Sequence, residues 1–220
     1  YNTMKQCFNV VRLALLLLAV LVIGQQSAQA QSASQVVSRL QAKYRDVKAI
    51  EADFTQTMSS SYGGGQQTLS GKLYLQGNKY RVESPSQTYV TDGNLVWIYN
   101  ANENQVLVNN NINDETTFNP NDFIFNFDQH YSATGVKTVT VSGRQHYMLS
   151  LKPKQDNSLY RDVTLWINSS DMLITRLDVI DVNDAKVTIN MRNIKLNPKL
   201  SADLFTFRAP SNAEVVDLRS

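Results

Sequence analysis

The residues whose side chains could perform catalysis or bind a metal are few and scattered along this sequence. The two histidines, His130 and His146, do not form an H-x-x-x-H pair, so a zinc site lacks ligands. Glu51 and Asp53 lie two residues apart in a strand pattern, where neighbouring carboxylates are typical of a solvated face. Asp92 stands in an Asp-Gly turn. These residues predict no catalytic set, no metal site and no cofactor.

Nucleotide chemistry and nucleic-acid binding are not indicated either. The sequence lacks a P-loop and a G-x-G-x-x-G motif, and the glycine triplet at 63–65 precedes a strand pattern instead of a helix. The 220 residues include 21 Lys and Arg and 19 Asp and Glu, with two of the basic residues, Lys5 and Arg12, in the first 30. The rest of the chain is therefore neutral and has no basic block, so we expect no nucleic-acid partner.

Residues 1–30 have the pattern of a signal peptide. An apolar run over 13–23 follows the positive residues, and Ala28-Gln29-Ala30 matches an A-x-A cleavage site. The only cysteine, Cys7, would be removed with this peptide, so we expect an exported chain without disulfides, located in a bacterial envelope compartment or in the medium. An uncleaved N-terminal membrane anchor is the alternative.

The remaining residues, 31–220, are predicted to form one domain that begins with a helix. Apolar residues recur at helical spacing from Val36 to Val47, with Ser34 as the N-cap. Beyond Ile50 the apolar residues alternate with polar ones, which predicts strands. Because no helical pattern separates these strands, we expect an antiparallel meander. The strands are predicted near residues 50–58, 69–75, 80–82, 88–91, 95–99, 105–108, 136–141, 147–151, 163–167, 174–180, 187–194 and 205–208.

Two features suggest an apolar interior under a small lid. Asn119-Pro120 is a helix start, and Phe123, Phe125 and Phe127 follow it so closely that a short helix or loop plugging an apolar opening is expected. The strand at 95–99 is apolar on both faces and the strand at 163–167 nearly so, although the chain has few helices to cover them. A curled sheet with an unfilled apolar interior explains both features, and a solidly packed sandwich is the alternative.

Four segments in the same order resemble the LolA family of periplasmic outer-membrane lipoprotein carriers. These segments are Phe54-Thr55-Gln56, the pair 70–75 and 79–83, Thr91 to Tyr99, and Phe205-Thr206-Phe207-Arg208-Ala209-Pro210 with Val215 and Asp217. The resemblance implies a mainly β (α+β) fold: an open, incomplete antiparallel β-barrel closed by an N-terminal helix and short lid helices. It also implies a non-enzymatic monomer that binds the acyl chains of lipoproteins.

The partners that the resemblance implies are acylated lipoproteins and the inner-membrane lipoprotein-releasing ABC transporter complex, with the outer-membrane acceptor left open. One departure concerns the lid. The family commonly has an Arg-Pro pair, linked to holding the lid, where this chain has Gln76-Gly77-Asn78, and Arg81 is not its direct equivalent. An envelope sensing or protein-interaction module of the same fold is the alternative function, and a hydrolase using Asp92 or His130 is a third.

Strand period and the family's motif positions together predict which side chains face inward, and a shift of one residue in any strand would reverse its faces. The lid residues are predicted to be Phe123, Phe125 and Phe127, which would compete with cargo for the interior. The acyl-chain-binding residues are predicted to be Phe54, Leu73, Leu75, Tyr80, Val82, Trp97, Tyr99, Leu149, Leu151, Leu165 and Ile189.

Overall fold

A computed structural model describes residues 31–59, 65–111 and 119–219. The predicted signal peptide, residues 1–30, lies outside these residues, as do Gly63 and Gly64. No helix in this described part of the chain is long and apolar enough to cross a membrane.

The chain forms a helix and then a series of strands that is interrupted by two short helices. The helices are α1 Ala33–Tyr44, α2 Asn121–Ile124 and α3 Phe127–His130, and Ala202–Phe205 forms a 3₁₀ helix. The strands are β1 Ala49–Ser59, β2 Gln67–Gln76, β3 Lys79–Glu83, β4 Gln87–Thr91, β5 Leu95–Asn100, β6 Gln105–Asn110, β7 Tyr131–Val141, β8 Arg144–Pro153, β9 Tyr160–Asn168, β10 Ile174–Asp181, β11 Lys186–Leu196 and β12 Glu214–Asp217.

All the strands that the described residues form belong to one 12-stranded sheet in the order β12-β6-β5-β4-β3-β2-β1-β11-β10-β9-β8-β7. Two meanders, β1 to β6 and β7 to β11, are joined by the antiparallel pairing of β1 with β11. The edge strands β12 and β7 do not pair with each other, so the sheet is not closed. The predicted open, incomplete barrel is confirmed, although β12 runs parallel to β6 and the meander is therefore not antiparallel throughout.

Helix α1 begins two residues earlier than its sequence pattern predicted. Ser32, and not Ser34, is the N-cap, because Gln35 completes a capping box with it. The Gln35 amide donates to Ser32 Oγ at 3.3 Å, and the Ser32 amide donates to Gln35 Oε1 at 2.9 Å. The apolar stripe of the helix then packs into the main core of the sheet.

The predicted strand at 205–208 is wrong. Phe205 ends the 3₁₀ helix and is 1% exposed, while the last strand forms only at Glu214–Asp217, where the free edge of β6 offers hydrogen-bond partners. The alternation of Phe205 and Phe207 arises from packing of a non-strand segment. The Phe207 ring contacts the Tyr99 ring at 5.8 Å, and Arg81 Nη1 donates to the Leu204 carbonyl at 3.3 Å. This C-terminal segment therefore covers part of the sheet.

The sheet has two faces with different cover. The inner face carries the paired residues Leu73 and Val82. Leu73 belongs to the main core under α1, and Val82 packs against that core. The opposite face is called the outer face. The C-terminal segment covers the outer face at β3 to β6. On β9 the outer residue is Trp166, whose ring lies 4.6 Å from the Arg176 guanidinium and whose Nε1 donates to Asp178 Oδ2 at 2.6 Å. The Trp166 ring on the outer side of β9 is thus covered by polar side chains of the neighbouring strand β10.

Gly71 allows β2 to pass close to the ring of Phe54, its partner on β1. A Cβ at this position would lie 1.7 Å from the Glu83 carbonyl oxygen and 2.9 Å from Phe54 Cε1. Gly71→Ala is therefore expected to destabilise the protein by about 3 kcal/mol or more, measured by denaturant unfolding. Gly135→Ala, in another strand with nothing within 4 Å of the added Cβ, is the control and should change stability by less than about 1 kcal/mol. Equal losses in the two variants would contradict this role for Gly71.

Candidate functional site

The inner face surrounds a small apolar cavity of about 60 Å³. An engineered apolar cavity of about 150 Å³ holds one benzene, so this space as it stands is too small for an acyl chain. The described residues that line it are Phe54, Gln56, Leu73, Val82, Pro120, Phe123, Ile124, Leu165, Ile174, Leu177, Ile189 and Met191. The lining combines strands from both meanders with residues of the segment that contains α2.

The structure brings most of the predicted acyl-chain-binding residues to the inner face. Phe54, Leu73, Val82, Leu165 and Ile189 line the cavity itself. The other residues that share this face are buried in the surrounding core, and they are Leu75, Tyr80, Leu149 and Leu151. Whether any of them contacts an acyl chain stays a prediction.

Trp97 and Tyr99 are not brought to this face, and their predicted inward orientation is wrong. Trp97 pairs with Val90 and Val108, and Tyr99 pairs with Val106, so both rings point to the outer face. Strand β5 is apolar at five successive positions, and its sequence therefore contains no signal for which set faces inward. The cover supplied by the C-terminal segment explains why the outer set is apolar too.

Several cavity residues were not among the predicted ones. Leu177 alternates with Arg176 and Asp178 on β10, so the strand period alone could have identified it. Met191 lies two residues after the predicted Ile189 on β11, so the strand period could have identified it as well. Ile174 lies beyond a register shift in β10. Such irregularities break the alternation, and the sequence gives no warning of them.

The segment with α2 and α3, residues 119–130, forms a lid over the inner face. Phe123 is 3% exposed, and its ring lies 5.6 Å from each of the rings of Tyr131 and Tyr160. Phe125 contacts Tyr44 edge-on at 6.2 Å. The predicted lid aromatics have different positions, because Phe123 lines the cavity whereas Phe125 and Phe127 line the wider cleft beside it.

That wider space, which we call the mouth cleft, has a volume of about 1140 Å³. It lies between the last turn of α1, the β2–β3 turn and the lid, and Ile124 borders both the cleft and the cavity. Gln76-Gly77-Asn78, the segment that stands where the family commonly has Arg-Pro, lines this cleft beside the lid.

The lid carries a close pair of Asp122 and His130 and is surrounded by tyrosines with little exposure. Asp122 Oδ1 lies 3.5 Å from His130 Nε2, and the two side chains are 13% and 23% exposed. Burial raises the pKa of Tyr80 to about 12, and the charge of Asp122 acts in the same direction. Burial likewise raises the pKa of Tyr160 to about 12, with Asp181 and then Asp122 contributing. The pKa of Tyr44 is also raised to about 12, chiefly by burial, although its Oη accepts a hydrogen bond from the Ile174 amide.

Stability is therefore expected to fall at alkaline pH. Each of these tyrosines has a folded pKa of about 12 against an ordinary value of 10.0, so its contribution is complete below pH 10 and is lost between pH 10 and 12. Two pKa units correspond to about 2.7 kcal/mol for each tyrosine. Denaturant unfolding from pH 9 to 12, with tyrosinate absorbance as a second readout, would measure the loss. Tyr160→Phe should reduce it by about a third, and constant stability up to pH 12 would contradict the expectation.

Asp92 and His130, the residues of the hydrolase alternative, make separate contacts in the structure. Asp92 Oδ1 accepts hydrogen bonds from the amides of Asn94 and Leu95 at 2.8 and 2.9 Å, so it holds the β4–β5 turn. His130 instead pairs with Asp122 in the lid. Within residues 31–59, 65–111 and 119–219, no group of three or more His, Cys, Asp or Glu side chains is placed to hold a metal ion.

An open sheet with an apolar inner face under a small helical lid defines a half-barrel protein with a lidded interior. The family model described as "Outer membrane lipoprotein carrier protein LolA" matches residues 45–208, which is most of the chain. The chain belongs to the LolA family.

The chain is similar to a protein named as a carrier and to two uncharacterized proteins. An outer-membrane lipoprotein carrier protein of Actinobacillus pleuropneumoniae is 30% identical over 190 residues, which cover 84% of this chain and 85% of that protein. An uncharacterized protein of Methanocaldococcus jannaschii is 25% identical over 198 residues, covering 86% of this chain but only 55% of that longer protein. A crystal structure of an uncharacterized conserved protein from Thermus thermophilus shares the fold, with a TM-score of 0.53 at 15% identity, over 84% of this chain and 98% of that one.

Proposed function

We propose that this protein is a periplasmic chaperone that binds the acyl chains of lipoproteins and carries them from the inner to the outer membrane. It receives them as a monomer from an inner-membrane lipoprotein-releasing ABC transporter complex and delivers them to an acceptor at the outer membrane. The observation that carries the proposal is the lid, since Phe123 and Ile124 occupy the mostly apolar interior of an open sheet. The family membership and the name of the Actinobacillus relative support it.

The energetics explain why a lid of this kind suits a carrier. Burying an acyl chain contributes about 0.8 kcal/mol per CH₂, so a lipid anchor with several chains does not leave a membrane without an apolar receptor. The cavity of about 60 Å³ cannot take a chain while the lid is closed. Cargo must therefore displace the lid, and return of Phe123 to the interior offsets part of the cost of unloading. Such competition allows transfer without a nucleotide.

A lipoprotein-release assay tests the proposal. Spheroplasts that export a labelled outer-membrane lipoprotein are incubated with the purified protein, and the supernatant is assayed for the lipoprotein in complex with it. We expect release that rises with protein concentration and is absent with an unrelated periplasmic protein. If the protein neither releases nor retains acylated lipoprotein, the proposed function is wrong.

A further inference from the structure

The mouth cleft differs from the cavity in chemistry, because amide side chains line much of it. They come from the β2–β3 turn, from the end of β6 and from the lid. These amide residues include Gln76, Asn78, Asn111, Asn121, Asn126 and Gln129. Amide groups both donate and accept hydrogen bonds, as peptide groups do. Arg45, Lys48 and Asp128 also line the cleft, so charge alone does not distinguish a peptide from a phosphate there.

Asn121 is the residue of this set whose side-chain oxygen lacks a hydrogen-bond donor. It is 4% exposed, and its side-chain Oδ1 is buried without a hydrogen-bond partner. Its backbone groups are satisfied, since its amide donates to Asn119 Oδ1 at 3.0 Å and its carbonyl accepts from Phe125 at 2.9 Å. A buried acceptor without a donor is costly in the folded protein and calls for an explanation. A ligand that donates a hydrogen bond to this oxygen would provide that explanation.

The position of Asn121 indicates what that ligand presents. Its neighbours in the lid, Pro120 and Phe123, line the apolar cavity, whereas Asn121 lines the mouth cleft. Ile124 borders both spaces. A ligand whose acyl chain replaces Phe123 and Ile124 in the cavity would leave its first polar group at this boundary, where Asn121 becomes accessible as the lid opens. An acceptor oxygen requires an N–H or O–H there, and an acyl amide provides an N–H.

We propose that the mouth cleft is a subsite for the amide-linked polar head of an acylated peptide, with Asn121 Oδ1 accepting a hydrogen bond from the acyl amide N–H. This inference rests on the proposed carrier function. It gives the protein a preference for acylated peptides over phospholipids whose chains are joined by esters, since an ester has no donor for Asn121. The other amides of the cleft would bind the peptide groups that follow.

Two matched probes test this subsite. One is a fluorescent N-palmitoyl tripeptide, and the other is the same compound with an ester oxygen in place of the acyl amide N–H. The unsubstituted protein is expected to bind the amide probe about tenfold more tightly, the size of one net hydrogen bond. Asn121→Leu should remove this preference by weakening the amide probe about tenfold and leaving the ester probe unchanged. Its melting temperature should be equal or higher, because a buried unsatisfied acceptor is removed.

The outcomes separate the subsite from the carrier function. Equal affinity of the unsubstituted protein for the two probes, or equal weakening of both by Asn121→Leu, would overturn the subsite while binding itself still supports a carrier. Absence of binding by either probe would overturn both. Because the comparison of the two probes is made on the unsubstituted protein, the test does not depend on folding of the variant.

Discussion

Replacing Ile189 by glutamate is expected to lower the affinity for acyl chains at least about a hundredfold while leaving the protein folded. Ile189 lines the cavity and is only half-buried, so a carboxylate there can reach water in the unloaded protein. A bound chain would enclose the carboxylate in apolar surroundings, which costs several kcal/mol or forces its protonation. Titration with a fluorescent N-palmitoyl peptide measures the affinity, and denaturant unfolding measures stability.

The control for this variant is the next residue along the same strand. Asn190 pairs with Thr55 and Arg176 on the outer face, so Asn190→Glu introduces the same charge on β11 outside the cavity. Its affinity for the acyl probe should stay within about twofold of the unsubstituted protein. Equal losses at 189 and 190 would indicate that charge or folding, and not the cavity, determines binding.

Phe123→Ala is expected to have two opposite effects, a loss of stability and a gain in acyl-chain affinity. Phe123 is 3% exposed, and truncating a buried phenylalanine costs about 3 to 5 kcal/mol. Burial of its ring also stabilises the closed lid by about 1.5 to 3 kcal/mol. Since cargo must displace this ring, its removal should raise the affinity for the acyl probe at least about tenfold and slow transfer to acceptor membranes.

Phe205→Ala separates the two effects. Phe205 is 1% exposed but belongs to the C-terminal segment on the outer face, away from the cavity. Its truncation should cost similar stability and leave the acyl-chain affinity unchanged. An unchanged or lower affinity in Phe123→Ala would mean that Phe123 is an ordinary core residue and that the lid does not compete with cargo.

The sequence predicted the inward or outward orientation of a strand residue only where apolar and polar residues alternate. On β1, Phe54 lies between polar neighbours, so its orientation toward the interior followed from the strand period. On β5, apolar residues at successive positions left the two faces indistinguishable, and Trp97 and Tyr99 were placed on the wrong one. Such a strand indicates that its outer face is also covered. It does not indicate that the C-terminal segment supplies this cover.

The remaining errors concern long-range pairing. The C-terminal strand forms at Glu214–Asp217 because the edge of β6 is available there, a partner more than a hundred residues earlier that local pattern does not indicate. The lid aromatics were predictable as a group from their crowding. Their division between the cavity and the mouth cleft depends on the two short helices, whose bounds the sequence pattern did not define.

The most direct test of the lidded cavity is a photo-crosslinking measurement at two adjacent positions of β2. A photoreactive amino acid replaces Leu73, which lines the cavity, or Lys72, which lies on the outer face, and each variant is loaded with a radiolabelled N-palmitoyl peptide. We predict a crosslink to the acyl chain from position 73 and none from position 72. Labelling from position 72 alone, or equally from both, would contradict an acyl-binding site beneath the lid.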